Sequence, residues 1–167
     1  MKRYLTFSNL LFLILFVFAS VRLIPVIQNN FAQEGQVIPA QDLKIISTED
    51  PERMISFPPK NRAAVIFWAT WCVPCRLEMA RLSSSVDDGK IPAGAIIAIN
   101  PFETPEVIRT FLKKTPYPFT FIEDNGISLL LNVTTTPTTM FIEENRVKSI
   151  SSGLSAFGIW KAEQFLK

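Results

Sequence analysis

An α/β fold with a mixed central sheet and helices on both faces is predicted for this chain, and three observations carry the prediction. Apolar runs of strand length alternate with helix-length segments through residues 63–131. Two short strands around Glu144-Asn145 then make a hairpin, and a last helical segment follows it. Strands separated by helices pair in parallel and a hairpin adds antiparallel neighbours, so the sheet is mixed. The 167 residues, 48% of them hydrophobic, suffice for one domain with its own core plus an extension.

The elements follow in order. Asp42 to Ser47 is a short edge strand, and residues 48–62, with Pro51, Pro58 and Pro59, form a loop. Ala63-Ala64-Val65-Ile66-Phe67-Trp68-Ala69 is continuously apolar, as suits a strand buried on both faces. Cys72 to Ser84 reads as a helix with Leu77, Ala80 and Leu82 on its apolar side. Ala95 to Ile99 is a second buried strand. Thr104-Pro105-Glu106 opens a helix, with a capping hydroxyl, a proline in the first turn and an acid near the positive end; Lys113-Lys114 suit its other end. Phe119 to Ile122 is a strand, Asp124-Asn125-Gly126 a turn, and Ile127 to Leu131 a short helix. Thr138 to Ile142 and Arg146 to Ile150 form the hairpin. Ser155 is a candidate cap for a final helix, Ala156 to Leu166, whose Trp160 and Phe165 read as core, as does Trp68.

The N-terminus has a different character. Lys2 and Arg3 precede the apolar run Leu10 to Ala19, which continues past Arg22 to Ile27. Two readings remain open, a cleaved signal peptide and an uncleaved anchor. The anchor is favoured because bulky Val21, Leu23 and Ile24 follow the run where a small-x-small cleavage site is wanted. Residues 1–27 are therefore expected as a signal anchor or transmembrane segment, 28–42 as a linker and 43–167 as the domain. The positive residues stay cytoplasmic, which puts the domain on the outer side of the cell membrane. Of the 17 basic residues, three lie at positions 2, 3 and 22, and all 15 acidic residues lie beyond position 33. A domain so near neutrality has no field to gather polyanions, which excludes nucleic acid as an expected partner.

The chemistry lies in Trp71-Cys72-Val73-Pro74-Cys75, which holds both cysteines of the chain. With no histidine and no further cysteine, the pair offers two soft ligands where a closed zinc site needs four, so no metal is expected. A disulfide across so short a loop restrains little of the unfolded chain, so stability does not explain the spacing. Exchange chemistry does. Cys72 stands where a buried strand passes into a helix, and the free amides and dipole of the helix N-terminus favour its thiolate. Cys75, one turn on, suits the resolving thiol. Arg76 reads as a solvated helix charge.

Val65-Ile66-Phe67-Trp68-Ala69-Thr70-Trp71-Cys72-Val73-Pro74-Cys75-Arg76 resembles the active-site segment of thioredoxins and, more closely, that of the membrane-tethered TlpA/ResA-like branch, over roughly residues 60–152. The resemblance implies a thioredoxin fold with a central insertion between Cys75 and Pro137. It also implies thiol–disulfide exchange at the envelope face of the membrane, without a cofactor. Protein thiols and disulfides would be the substrates, a membrane protein the electron donor, and reduction the working direction. Thr134 to Ile142 resembles the family's cis-proline loop, which makes Thr136 and Pro137 substrate-docking residues. Trp71 would shield the site. Glu78 matches a family glutamate that handles protons for the cysteines, giving Cys72, Cys75 and Glu78 as the catalytic residues. Three departures stand out: Ile66 replaces the buried aspartate of cytoplasmic thioredoxins, Ala80 replaces a helix-kinking proline, and no glutamate follows Pro137 as in the cytochrome c maturation branch. Two other functions remain as alternatives, a thiol peroxidase and a non-catalytic binding domain with a permanently closed disulfide.

Overall fold

The computed structural model describes residues 7–46, 50, 52–92 and 94–167, without the side chains of residues 7, 8, 22, 23, 26, 27 and 29. Lys2, Arg3, Ser47 and Pro51 lie outside the described residues, as does the side chain of Arg22. The elements are α1 (Phe7–Gln33), β1 (Gln41–Lys44), β2 (Met54–Phe57), β3 (Ala63–Phe67), α2 (Val73–Asp87), β4 (Ile96–Ile99), α3 (Pro105–Lys114), β5 (Thr120–Ile122), α4 (Ile127–Leu130), β6 (Thr138–Glu143), β7 (Arg146–Ser152) and α5 (Gly158–Phe165).

Five strands form the main sheet in the order β5-β4-β3-β6-β7. β3 pairs in parallel with β4 and antiparallel with β6, so the sheet is mixed as expected. Every residue of β3 is buried, which explains its unbroken apolar sequence. Successive side chains point to opposite faces. Ala64, Ile66 and Trp68 therefore join one core cluster, with Met79 and Leu82 of α2, Ile108 of α3 and Ala162 of α5. Ala63, Val65 and Phe67 join the other, with Ile127, Leu131, Met140 and Ile142. The hairpin closes through Glu144 and Asn145, both with positive φ, which matches the right-handed twist of paired strands.

Several boundaries and faces differ from expectation. Residues 48–62 are not all loop: Met54–Phe57 forms β2 and pairs antiparallel with β1. The strand is short and lies beside three prolines, so its alternation was masked. The segment read as a linker is helical to Gln33 and then docks on β7. Gly35 N donates to Val147 O at 2.7 Å, Val147 N to Gln36 O at 3.0 Å, and Ile38 N to Asn145 O at 2.8 Å. Ile38, 1% exposed, enters the core. In α2, Leu77 and Ala80 face solvent; the buried stripe is Cys75, Glu78, Met79, Leu82 and Ser85. That stripe has helical periodicity, but two of its members are polar, which misled the apolar count. α5 starts at Gly158 after Phe157, so Ser155 does not cap it, and Trp160 is largely exposed. Phe165 does pack inward, edge-on to Phe141 with ring centres 5.3 Å apart.

In α1 the nine residues from Leu10 to Phe18 are all large, apolar and exposed. Among the described residues, no helix is long and apolar enough to cross a membrane. The spanning segment expected at 1–27 is thus not a feature of the described residues.

Candidate active site

The strand register gathers the site at one end of the sheet. Phe67 pairs with both Ile99 and Thr138, and Thr138 pairs with Ser152. The residues leaving β3, β4 and β7 and the residue entering β6 therefore meet there. These are the Thr70–Cys72 turn, the Asn100–Glu103 loop, Gly153 and Pro137.

Cys72 and Cys75 form a disulfide with Cα atoms 5.3 Å apart. Both are buried, Cys72 at 5% exposure and Cys75 at 0%. Cys72 is the N-cap of α2, and the Cys75 amide donates to Cys72 Sγ at 3.2 Å. When the disulfide opens, that amide and the first-turn dipole face the Cys72 sulfur and favour its thiolate. Pro74 costs the helix nothing in its first turn, where an amide would lack an intrahelical partner anyway. Trp71 is 64% exposed beside the pair, its ring 5.8 Å from that of exposed Phe102. Trp68 is wholly buried between Phe111 and Phe121, as expected of a core residue.

The Thr136–Pro137 bond is cis, and Pro137 O accepts a 2.7 Å hydrogen bond from Gly153 N. Glu78 lies one turn beyond Cys75 on the buried stripe and is 3% exposed. Burial pushes its carboxyl above the ordinary carboxylate range, while the Arg81 guanidinium and the Ser155 amide pull partly the other way. The sequence-derived residues thus converge in two groups. Cys72, Cys75 and Trp71 lie at the helix N-terminus with Pro137 at the same sheet end, and Glu78 is seated deeper, against residues 155–158.

One residue of the site was missed in the sequence. Glu103 accepts from Thr70 N at 2.7 Å, from the Thr70 hydroxyl and from Asn100 Nδ2 at 2.7 Å. It fastens the turn before Cys72 to the loop after β4. Burial acts to raise its carboxyl, but these hydrogen bonds outweigh it and hold the group below its ordinary value. A usable signal existed: Asn100-Pro101-Phe102-Glu103 follows the carboxyl end of a buried strand, where α/β sheets place their sites. Glu103→Gln is expected to lower stability by about 1 kcal/mol at neutral pH, since the partly buried Thr70 and Asn100 donors lose a charged acceptor that solvent replaces in part. The sign with pH follows from a depressed folded-state value. The Glu103 contribution is present above the unfolded-state value and is lost as pH falls through the folded-state one. Urea unfolding from pH 7 to pH 3 should therefore show the gap between wild type and variant closing in acid; a gap independent of pH would refute this assignment.

The family model for AhpC/TSA matches residues 35–149 of the chain. The chain belongs to the AhpC/TSA family. Among curated relatives in that setting, it is 31% identical over 120 residues to the thioredoxin-like protein YneN of Bacillus subtilis, covering 69% of this chain and 68% of YneN. It is 30% identical over 121 residues to the thiol–disulfide oxidoreductase ResA of Oceanobacillus iheyensis, covering 70% of this chain and 63% of that one. The crystal structure of StoA from Bacillus subtilis superposes with a TM-score of 0.65 at 20% identity, over 78% of this chain and 98% of StoA, which confirms the thioredoxin-like fold. This AhpC/TSA member is a thiol–disulfide oxidoreductase of the TlpA/ResA-like kind, and its Cys72–Cys75 pair is the redox centre.

Proposed function

We propose that the chain is a tethered, outward-facing reductant of protein disulfides, in which Cys72 attacks and Cys75 resolves. The observation that carries the reading is the Cys72 sulfur at the α2 N-terminus, accepting from the Cys75 amide. A reduced Cys72 thiolate attacks a substrate disulfide and forms a mixed disulfide. Cys75 then attacks Cys72, re-forms the ring and releases the substrate thiol. Glu78 takes the Cys75 proton, and its raised affinity for protons brings it nearer to that of a thiol. Thr136 and Pro137 form the edge against which an extended substrate segment lies. The exposed apolar side chains of Trp71, Val73 and Phe102 around the pair suit a protein substrate rather than a small polar one.

The apolar run of α1 supports the tether. Consecutive helical residues are about 100° apart, so an exposed run from Leu10 to Phe18 presents apolar surface on every side. No single protein groove covers all faces of a helix, whereas lipid does. α1 also docks at the redox end of the domain: Ser152 Oγ donates to Asn30 Oδ1 at 3.0 Å, and Ser152 is the partner of Thr138 in the sheet. Tether and redox centre thus share one end, which suits an electron donor in the membrane.

The deciding experiment measures the equilibrium potential of the Cys72–Cys75 couple and its redox state in cells. A largely reduced pair, together with insulin reduction, is expected. A pair held permanently oxidised would sink the reductant reading and favour the binding domain, and peroxide consumption without disulfide exchange would favour the peroxidase. The tether predicts that the full chain floats with liposomes and that removal of residues 1–33 releases it.

A further inference from the structure

The segment 153–158 links the two halves of the site. At one end Gly153 N binds Pro137 O. At the other, a Cβ on Gly158 would come within 2.8 Å of Glu78 Oε1 and 3.0 Å of Ser155 Cβ, so the carboxylate occupies the space a side chain would need. The Ser155 amide acts on the Glu78 carboxyl to lower its proton affinity. Between these ends, Arg81 reaches across from α2. Its Nη1 donates to Ser155 O at 3.1 Å and its Nη2 to Ala156 O at 3.4 Å. The same Nη1 stands 3.9 Å from Glu78 Oε2, a buried oxygen that accepts no hydrogen bond.

We propose that Arg81 is a positioning residue of the redox centre: by gripping the Ser155 and Ala156 carbonyls beside Glu78, it holds the proton acceptor of Cys75 and the Pro137 loop in one arrangement. The inference rests on Glu78 being that acceptor. In the resolving step the Cys75 thiol gives its proton to the Glu78 carboxylate. The Cys75 sulfur then bonds to Cys72 Sγ, the bond from Cys72 to the substrate sulfur breaks, and the substrate leaves as a thiolate that takes up a proton from water. Two electrons pass from the cysteine pair to the substrate disulfide over the whole cycle.

Arg81 is the cation that acts on the Glu78 carboxyl, because the other charged groups nearby are engaged or distant. On α2, Arg76 is exposed on the side of Tyr117, and Asp87 is exposed more than two turns away. On α5, Lys161 lies over the Phe141 ring at 5.3 Å, and Glu163 accepts from Ser85 Oγ at 2.8 Å. Residues 153–158 carry no charge, and Cys75 is the thiol being served.

The test uses the full chain in detergent, reduced and mixed with a peptide disulfide, and follows release of the peptide thiol from pH 4.5 to 9. The resolution rate should rise through an acid limb set by Glu78. Arg81→Ala should move that limb to higher pH by about one unit, roughly tenfold in rate on the limb, given an opposite charge near 4 Å that is partly screened by solvent. Arg81→Lys, which retains the charge but cannot grip both carbonyls, should fall between wild type and Arg81→Ala, and Glu78→Gln should abolish the limb. If Glu78→Gln abolishes the limb while Arg81→Ala superimposes on wild type, the role of Arg81 is refuted and that of Glu78 stands. If Glu78→Gln retains the limb, the acceptor assignment fails and the Arg81 proposal falls with it.

Discussion

Cys72→Ser is expected to reduce disulfide exchange by on the order of a thousandfold or more, since the attacking sulfur is removed. Cys75→Ser should behave differently. It retains the sulfur at the α2 N-terminus and loses only the group that resolves the mixed disulfide, so substrate should stay attached to Cys72. On a non-reducing gel the Cys75→Ser chain should run as higher-mass adducts that dithiothreitol collapses. The asymmetry is the informative part. Cys75 is wholly buried beneath the first turn of α2, while Cys72 retains a little exposure beside Trp71. Adducts formed by Cys72→Ser and not by Cys75→Ser would reverse the two roles.

Trp68→Ala carries the largest expected loss of stability, about 3–5 kcal/mol. Trp68 is 0% exposed and wedged between the rings of Phe111 and Phe121, which bind α3 and β5 to the strand that feeds the cysteines. Its Nε1 makes no hydrogen bond, so the whole loss comes from packing and the cavity left behind. Trp71→Ala, three residues on, should leave stability within about 0.5 kcal/mol, because the ring is exposed. Its effect should fall on KM for protein substrates. Urea midpoints for the two variants test the division; equal losses at both positions would contradict it.

Much of the fold was legible because its signals are local. A run with no polar residue, as in β3, suits burial on both faces, and Thr104-Pro105-Glu106 does open α3, although the Thr104 hydroxyl makes no capping hydrogen bond. The redox pair was legible for the same reason: two cysteines at a strand-to-helix junction need no distant partner to be recognised. Pro137 was reached through resemblance, and the register of β6 on β3 explains why it lies at the same end of the sheet as the cysteines. What was not legible depends on distant contacts. Leu77 and Ala80 looked like the inner face of α2, yet Glu78 and Ser85 occupy it, because the 153–158 segment packs against Glu78 and α5 offers Ser85 the Glu163 carboxylate. Trp160 looked like core, but the late start of α5 at Gly158 turns it outward.

By itself, then, the sequence determined the order of strands and helices, the cysteine centre and the sulfur that stands at the helix N-terminus. These follow from periodicity and from the chemistry of adjacent residues, which act over a few ångströms along the chain. Only the tertiary structure decided that Glu103 braces the turn before Cys72 and that Arg81 joins Glu78 to the loop beside Pro137. Hydrogen bonds between residues 33 and 74 positions apart depend on how the sheet brings loop ends together. The local pattern of Arg81 is that of an ordinary surface charge, and that of Glu103 shows only that it follows the end of a buried strand.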